Sequence, residues 1–368
     1  MLKHPKNPSL TSEVGLTKGN NIHQQFNFST TSNENANTHQ GRKKKITSLT
    51  LSHKKRKKEK ISMVTAYDYP SALHVDRAGI DILLIGDSCA MVELGYPTTQ
   101  PITLDEMIHH CKAVHRGILA GDGKGPLLVA DMPFGSYELS PEQALKNGYK
   151  IIKNSGMDAI KVEGGSKARA ETVHKITHEG GIAVMGHVGL TPQAISVIGG
   201  FRAQGRTAIR AREILDEALR LQEAGAFALV LECVPANVAK AITDTLEIPT
   251  IGIGAGAGCD GQVLVYHDML GMSSHPHHEQ FVPKFCKKYA NIGNVIQDGL
   301  DAFKREVEDG NFPGEGQYSP YHMSEKEHKL FEEMLKKDEL ERRREKEKMS
   351  KELKDKDEYE AMGLYGSK

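Results

Sequence analysis

Eight short apolar runs recur between residues 61 and 266, and longer stretches with helical signals separate them. The runs are Ile61–Ala66, Ile82–Gly86, Leu127–Ala130, Ala159–Val162, Ile182–Met185, Ala228–Leu231, Thr250–Ile253 and Gln262–Tyr266. Most are rich in Val, Ile and Leu and do not alternate with polar residues, the pattern of parallel strands covered on both faces. Between them, Thr103 and Glu106 have capping-box spacing, and Ile108, Cys111 and His115 follow on one side. Ser140-Pro141-Glu142-Gln143 supplies an N-cap, a first-turn proline and a glutamine at N3, predicting a helix that ends near Gly156. Ile214, Leu215, Ala218, Leu219 and Leu221 form a further apolar face stopped by Gly225, and residues 235–247 predict another helix. Eight strand–helix repeats of this length, about 250 residues in all, predict an α/β protein of the (β/α)8 TIM-barrel class. An open doubly wound sheet is the alternative, and eight nearly equal units favour closure.

The ends of the chain do not fit this pattern. The first 60 residues are basic and rich in Asn, Ser and Thr, with Glu13, Glu34 and Glu59 as their only acids. An acid-poor, hydroxyl-rich leader reads as an organelle transit segment, with Phe28–Ser32 resembling the region near a mitochondrial cleavage site. Nuclear import or nucleic-acid contact through Lys54–Lys58 is the competing reading, as is a plain disordered tail. The expected division is a disordered leader over 1–57, a catalytic barrel over 58–318, and a charged helical or disordered tail over 319–368. Leu330, Met334 and Leu335 give that tail one weak apolar stripe. A mitochondrial location is expected, with the cytoplasm as the alternative.

Composition excludes several classes. Formal charge is zero, so no global field favours nucleic acid, and no apolar run is long enough to span a membrane. Cys89, Cys111, Cys233, Cys259 and Cys286 contain no Cys-x-x-Cys pair, which argues against a disulfide framework or a structural zinc.

The chemistry concentrates where the apolar runs end. Run two ends in Gly86-Asp87-Ser88, run three in Asp131, run four in Glu163-Gly164-Gly165, run five in Gly186-His187, and run six in Glu232. In a parallel barrel these ends share one face. Each acid alone could be a helix cap and His187 alone a structural histidine, yet capping does not explain carboxylates at four strand ends. The glycines after Glu163 suggest close approach of the backbone to a ligand. Carboxylates crowded into a partly desolvated pocket repel unless a cation joins them. With oxygen donors and no cysteine or paired histidine nearby, Mg2+ is the expected ion, with Mn2+ or Co2+ as substitutes. Lys161 lies two residues before Glu163 and so faces the same way. If that face is the interior, it offers a fixed positive charge to an anionic substrate. Metal, lysine and a spare carboxylate suit enolisation, with Glu232 the candidate base. Cys233 is expected to point away from the face that bears Glu232.

These segments resemble the ketopantoate hydroxymethyltransferase family. The blocks that carry the likeness include Thr65-Ala66-Tyr67-Asp68, Gly86-Asp87-Ser88, Ala130–Phe134 and Lys161–Gly165. It continues through Gly186–Gln193, Leu231–Pro235 and Ile251–Gly256, and covers about residues 61–316. The resemblance implies a (β/α)8 barrel that transfers a one-carbon unit from 5,10-methylenetetrahydrofolate to 3-methyl-2-oxobutanoate, giving 2-dehydropantoate for pantothenate and coenzyme A. It implies Mg2+ positions at Asp87, Asp131 and Glu163, and 2-oxo acid contacts at Asp87, Ser88, Asp131 and Lys161. It also implies a general base at Glu232, a pocket histidine of open role at His187, and a homo-oligomer. The implied partners are thus a small 2-oxo acid, a reduced folate and further copies of the chain, with no nucleic acid and no membrane.

Other signals are weaker. Gly252, Gly254, Gly256 and Gly258 miss the dinucleotide register and read as a turn at the barrel mouth. His275, His277 and His278 read as surface loop residues before metal ligands. Residues 188–206 form a long glycine-bearing segment, expected to be an irregular loop that acts as a lid. Two other functions stay open: a lyase or mutase acting on 2-oxo acids related to phosphoenolpyruvate, and a nucleic-acid-binding protein using its basic leader.

Overall fold

Eight parallel strands pair in sequence order and close on themselves, β1 against β8. They are β1 (Ile61–Thr65), β2 (Ile82–Ile85), β3 (Leu127–Asp131), β4 (Ala159–Glu163), β5 (Ala183–Gly189), β6 (Ala228–Glu232), β7 (Thr250–Ile253) and β8 (Gly261–Leu264). The computed structural model describes residues 44–121, 125–200, 202–272, 283–314, 318 and 321–363. Phe28–Ser32, Phe201 and the His275, His277 and His278 group lie outside the described residues. All eight strands fall on the expected runs, the largest difference being at β5. It continues to Gly189, so His187 stands inside a strand.

The helices form where their caps predict. Thr103 and Glu106 make a reciprocal capping box at the start of the helix Leu104–Leu119. The Ser140 hydroxyl accepts from the Gln143 N–H at the start of Pro141–Ser155, which ends on left-handed Gly156. Ala208–Glu223 and Ala236–Thr245 supply the later apolar faces. In two adjacent core layers, Leu83, Ile85, Leu128 and Ile160 meet the helices, while Ile82, Leu84, Val129 and Ala159 fill the barrel. Successive strand residues alternate between the two, so the interior register is set residue by residue.

One boundary differs from expectation. Ser48–Arg56 is a helix (α1), and Leu51, fully buried, joins the barrel's interior cluster. Lys45, Lys54 and Lys55 pair with Asp158, Asp81 and Asp260 at 2.7–2.8 Å. Each of these aspartates stands just before a strand and also accepts a backbone N–H, from Leu128, Ser62 and Thr250 respectively. The basic tract expected to belong to the leader thus closes the bottom of the barrel. Lys45 and the residues of α1 therefore belong with the barrel, because these lysines answer acids at the amino ends of the strands. Lys54 and Lys55 are engaged there with Asp81 and Asp260.

Beyond the barrel, Glu325–Gly363 is one helix whose described side chains, Leu330, Met334 and Leu335 included, are exposed. No helix among the described residues is long and apolar enough to cross a membrane.

Candidate active site

The inward register of the strands carries the expected residues to one place. On β3 the order is Leu127, Val129, Asp131; on β4 it is Ala159, Lys161, Glu163; on β6 it is Ala228, Val230, Glu232. The lower members are interior core, and the last ones reach the carboxyl end. Pairing sets Asp131 beside Lys161 and Glu163 beside His187. Asp87, Ser88, Asp131, Lys161, Glu163, His187 and Glu232 all line one cavity of about 610 Å3. Every residue expected in the site is therefore there.

Lys161 Nζ lies 2.9 Å from Asp131 Oδ1, 3.6 Å from Glu163 Oε1 and 3.3 Å from His187 Nδ1. His187 Nδ1 is 3.3 Å from Glu163 Oε1. Its Nε2 faces Glu232 Oε2 at 3.3 Å, a charge contact and not a well-aligned hydrogen bond. The Asp87 N–H donates to Asp131 Oδ2 at 2.9 Å, tying the ends of β2 and β3. The Tyr67 and Ser88 hydroxyls share a hydrogen bond of 2.7 Å.

Burial and neighbours set the protonation pattern. Burial, then Asp131 and Glu163, push the Asp87 carboxyl well above the usual range. Burial also raises Asp131, with Lys161 opposing and Glu163 assisting. Glu163 is lowered in spite of its burial, because His187 and Lys161 lie against it. Lys161 is raised although burial opposes its charge, since Asp131, Glu163 and Asp87 surround it. His187 is raised to about 9: burial and Lys161 oppose the proton, and Glu163 and Glu232 outweigh them. The site is short of positive charge, and it falls at Asp87 and Asp131.

That deficit, with an all-oxygen donor set, fits a hard divalent cation. Mg2+ commonly takes one or two carboxylates and fills its shell with water and substrate. Among the described residues no group of three His, Cys, Asp or Glu is arranged to hold a metal by itself. Glu163 Oε1 faces His187 and Lys161 and its Oε2 accepts from the Gln193 N–H at 3.1 Å, while Asp131 is likewise engaged at both oxygens, by Lys161 and by the Asp87 N–H.

Three local readings change. The Glu163-Gly164-Gly165 glycines answer local backbone conformation and helix packing. Gly164 has φ +92°, and a Cβ on Gly165 would meet Glu217 Cβ at 2.4 Å, so helix packing demands the gap. Cys233 lines the cavity and does not point away from it, because its φ of +51° breaks strand alternation after Glu232. Burial and Glu232 push its thiol up to about 12, away from the thiolate form that a nucleophile needs. Residues 188–206 are not an irregular loop: Pro192–Ala194 is a 3-10 turn and Ile195–Ile198 one helical turn.

Gln193 and Tyr137 carry site contacts that the sequence analysis did not foresee. Both are almost fully buried, and the Tyr137 hydroxyl donates to Gln193 Oε1. Gln193 closed one of the resembling blocks and followed a proline just past a strand end, while nothing in the local pattern marked Tyr137.

The family model described as ketopantoate hydroxymethyltransferase matches residues 45–315. The chain is 57% identical over 278 residues to the protein of Oryza sativa subsp. japonica named 3-methyl-2-oxobutanoate hydroxymethyltransferase 1, mitochondrial, spanning 76% of this chain and 74% of that one. The mitochondrial protein of the same name from Arabidopsis thaliana is 56% identical over 283 residues, 77% of this chain and 80% of its own. A bacterial 3-methyl-2-oxobutanoate hydroxymethyltransferase, from Heliobacterium modesticaldum, is 52% identical over 271 residues, 74% and 94% of the two chains. Both the matched span, which begins at the lysine that pairs with Asp158, and the conjunction of lysine, histidine and carboxylates at the strand ends agree with one assignment. The chain belongs to the ketopantoate hydroxymethyltransferase family.

Proposed function

We propose that this enzyme transfers a hydroxymethyl group from 5,10-methylenetetrahydrofolate to 3-methyl-2-oxobutanoate, giving 2-dehydropantoate for pantothenate synthesis. The observation that carries the reading is Glu232 at the rim of the cavity that holds Lys161, its Oε2 3.3 Å from His187. A base and a buried cation in one cavity suit proton abstraction beside the carbonyl of an anionic acid.

Asp87, Asp131 and Glu163 would hold Mg2+, with water and substrate completing its shell. A bound Mg2+ supplies Lewis-acid polarisation of the 2-oxo group. Lys161 meets the negative charge of the substrate, and Ser88, with its hydroxyl fixed by Tyr67, orients the carboxylate end. Glu232 takes the C3 proton, and His187, charged up to about pH 9, steadies the Glu232 carboxylate before that transfer. The C3 electron pair then forms the new carbon–carbon bond to the one-carbon unit, both bonds from that carbon to the folate nitrogens break, one water supplies the hydroxyl, and the second water proton and the proton taken by Glu232 pass to the two nitrogens. The cavity volume leaves room for a pteridine beside a small oxo acid.

Two wider expectations find support. The plant relatives bear mitochondrial names, which supports a mitochondrial destination for this chain. The helix Ile292–Glu308 exposes Val295, Ile296, Leu300, Phe303 and Val307, an apolar stripe that suits contact with another copy in a homo-oligomer.

The test is isotopic. Enzyme with Mg2+ and 3-methyl-2-oxobutanoate in deuterated water, without folate, should lose the C3 proton signal, and Glu232→Gln should not support the exchange. Exchange that is absent in the wild type, or that survives Glu232→Gln, overturns the assignment of the base.

A further inference from the structure

We infer that Gln193 is a positioning residue that couples closure of the segment after β5 to the competence of the carboxylates for a divalent cation. This rests on the metal-assisted reading above. Every polar atom of Gln193 is engaged. Its side-chain Nε2 donates to Asp87 Oδ2 at 2.9 Å and to the Met132 carbonyl at 3.0 Å. Its Oε1 accepts from the Tyr137 hydroxyl. Its backbone N–H donates to Glu163 Oε2 at 3.1 Å, and its carbonyl accepts from Gln100 Nε2 at 2.9 Å. One residue thereby joins the carboxyl ends of β2, β3 and β4 to the segment that leaves β5.

The choice of an amide has a physical reason. A lysine here would neutralise Asp87 and compete with a cation for it. An amide holds one oxygen of Asp87 through a neutral donor and leaves the other for a ligand. A carboxylate with one fixed oxygen has fewer orientations to lose when it coordinates. The Tyr137 hydroxyl can only donate to Oε1, so it fixes which end of the amide meets Asp87. Arg169 in turn fixes Tyr137, stacking 4.2 Å over its ring and donating to its carbonyl at 3.2 Å.

Gln193 also lies at the start of the stretch expected to cover the cavity. Leu190 and Pro192, just before it, line the cavity, and the helical turn Ile195–Ile198 follows it directly. When the segment lifts, the bonds to Asp87 and Glu163 break together. Closure and carboxylate orientation are then one event, and by linkage a cation bound at the carboxylates favours closure.

The experiment uses full-length protein and Gln193→Met, which keeps the length and apolar bulk and removes the amide. Tyr137→Phe removes only the hydroxyl that orients the amide and serves if Gln193→Met does not fold. Binding of Mn2+ is read by the loss of the free-ion electron paramagnetic resonance signal, and exchange of the amides over residues 188–200 by mass spectrometry. Expected are a 10- to 100-fold weaker Mn2+ affinity for Gln193→Met and a smaller loss for Tyr137→Phe. The wild type should show slower amide exchange over 188–200 when Mn2+ is bound, and Gln193→Met should lose that difference. Wild-type affinity within twofold in both variants, with no metal effect on segment exchange, overturns this inference while leaving the metal reading intact. A wild type that binds no Mn2+ overturns both.

Discussion

Glu232 Oε2 and His187 Nε2 face each other at 3.3 Å across the β5–β6 boundary, and the other nitrogen of the same ring faces Glu163 at the same distance. The imidazole therefore stands between a carboxylate assigned to proton transfer and one assigned to the metal layer. Removing the proposed base, by Glu232→Gln, should slow C3 proton exchange by about 10^2- to 10^4-fold. His187→Gln should slow exchange less, while leaving Mn2+ affinity nearly unchanged. Exchange rates followed by proton NMR decide this, and an equal or larger loss for His187→Gln would exchange the two roles.

Lys161 is almost completely buried with its charge 2.9 Å from Asp131. Lys161→Met should raise KM for the oxo acid at least tenfold, because the substrate loses its fixed counter-charge. The same change strips a partner from buried acids and should cost about 3–5 kcal/mol of folding stability. Steady-state kinetics and denaturant melts read the two effects separately, and an unchanged KM contradicts the assigned role.

Mg2+ binding should strengthen as pH rises. Burial and neighbouring acids hold the pKa of Asp87, and burial that of Asp131, above the normal carboxylate range. Protons therefore compete with the cation at these oxygens, and the competition fades above those raised values. Calorimetric titration at several pH values, in buffers of differing ionisation enthalpy, should show proton release on binding at the lower pH. Affinity that is flat with pH argues against Asp87 and Asp131 as ligands.

The helix α1 supports a prediction about truncation. Removing residues 1–43 should leave the melting temperature and kcat of the barrel unchanged. Removing residues 1–57 takes away Leu51 and the lysines that answer Asp158, Asp81 and Asp260. A buried leucine alone is worth about 2–5 kcal/mol, so the shorter chain should melt well below the longer one. Equal melting temperatures would show that α1 is dispensable.

Gly199 and Gly200 have φ of +74° and +118°, and nothing stands within 4 Å of where their Cβ atoms would be. Space therefore permits alanine, but left-handed backbone costs an alanine about 1–2 kcal/mol per residue. The double substitution should shift the segment toward an open form, lowering kcat while the global melting temperature stays close to wild type. A variant with full kcat removes the lid assignment for residues 188–200.

Much of this architecture was legible in the linear chain. Eight strands, the Thr103 and Ser140 caps and the Gly156 stop depend on neighbours within a few residues, and local order encodes them directly. The inward direction of Lys161 and Glu163 followed from their spacing of two once the strand was known. The carboxylates at the strand ends needed only the rule that parallel strands in a barrel share a carboxyl face.

Closure of the barrel decided the rest. The Gln193 bond to Asp87 spans 106 positions, and the bond from Asp87 to Asp131 spans 44. No local period relates such residues. The same holds for α1 and the Lys45 before it, whose lysines look like a leader until three distant aspartates at the strand starts receive them. Cys233 turned toward the cavity through a single positive φ that strand alternation cannot foresee. By itself the sequence determined which elements form and which residues stand at their ends, because those are short-range preferences. The tertiary structure alone decided which of those residues touch, because long-range contacts exist only once the chain has closed on itself.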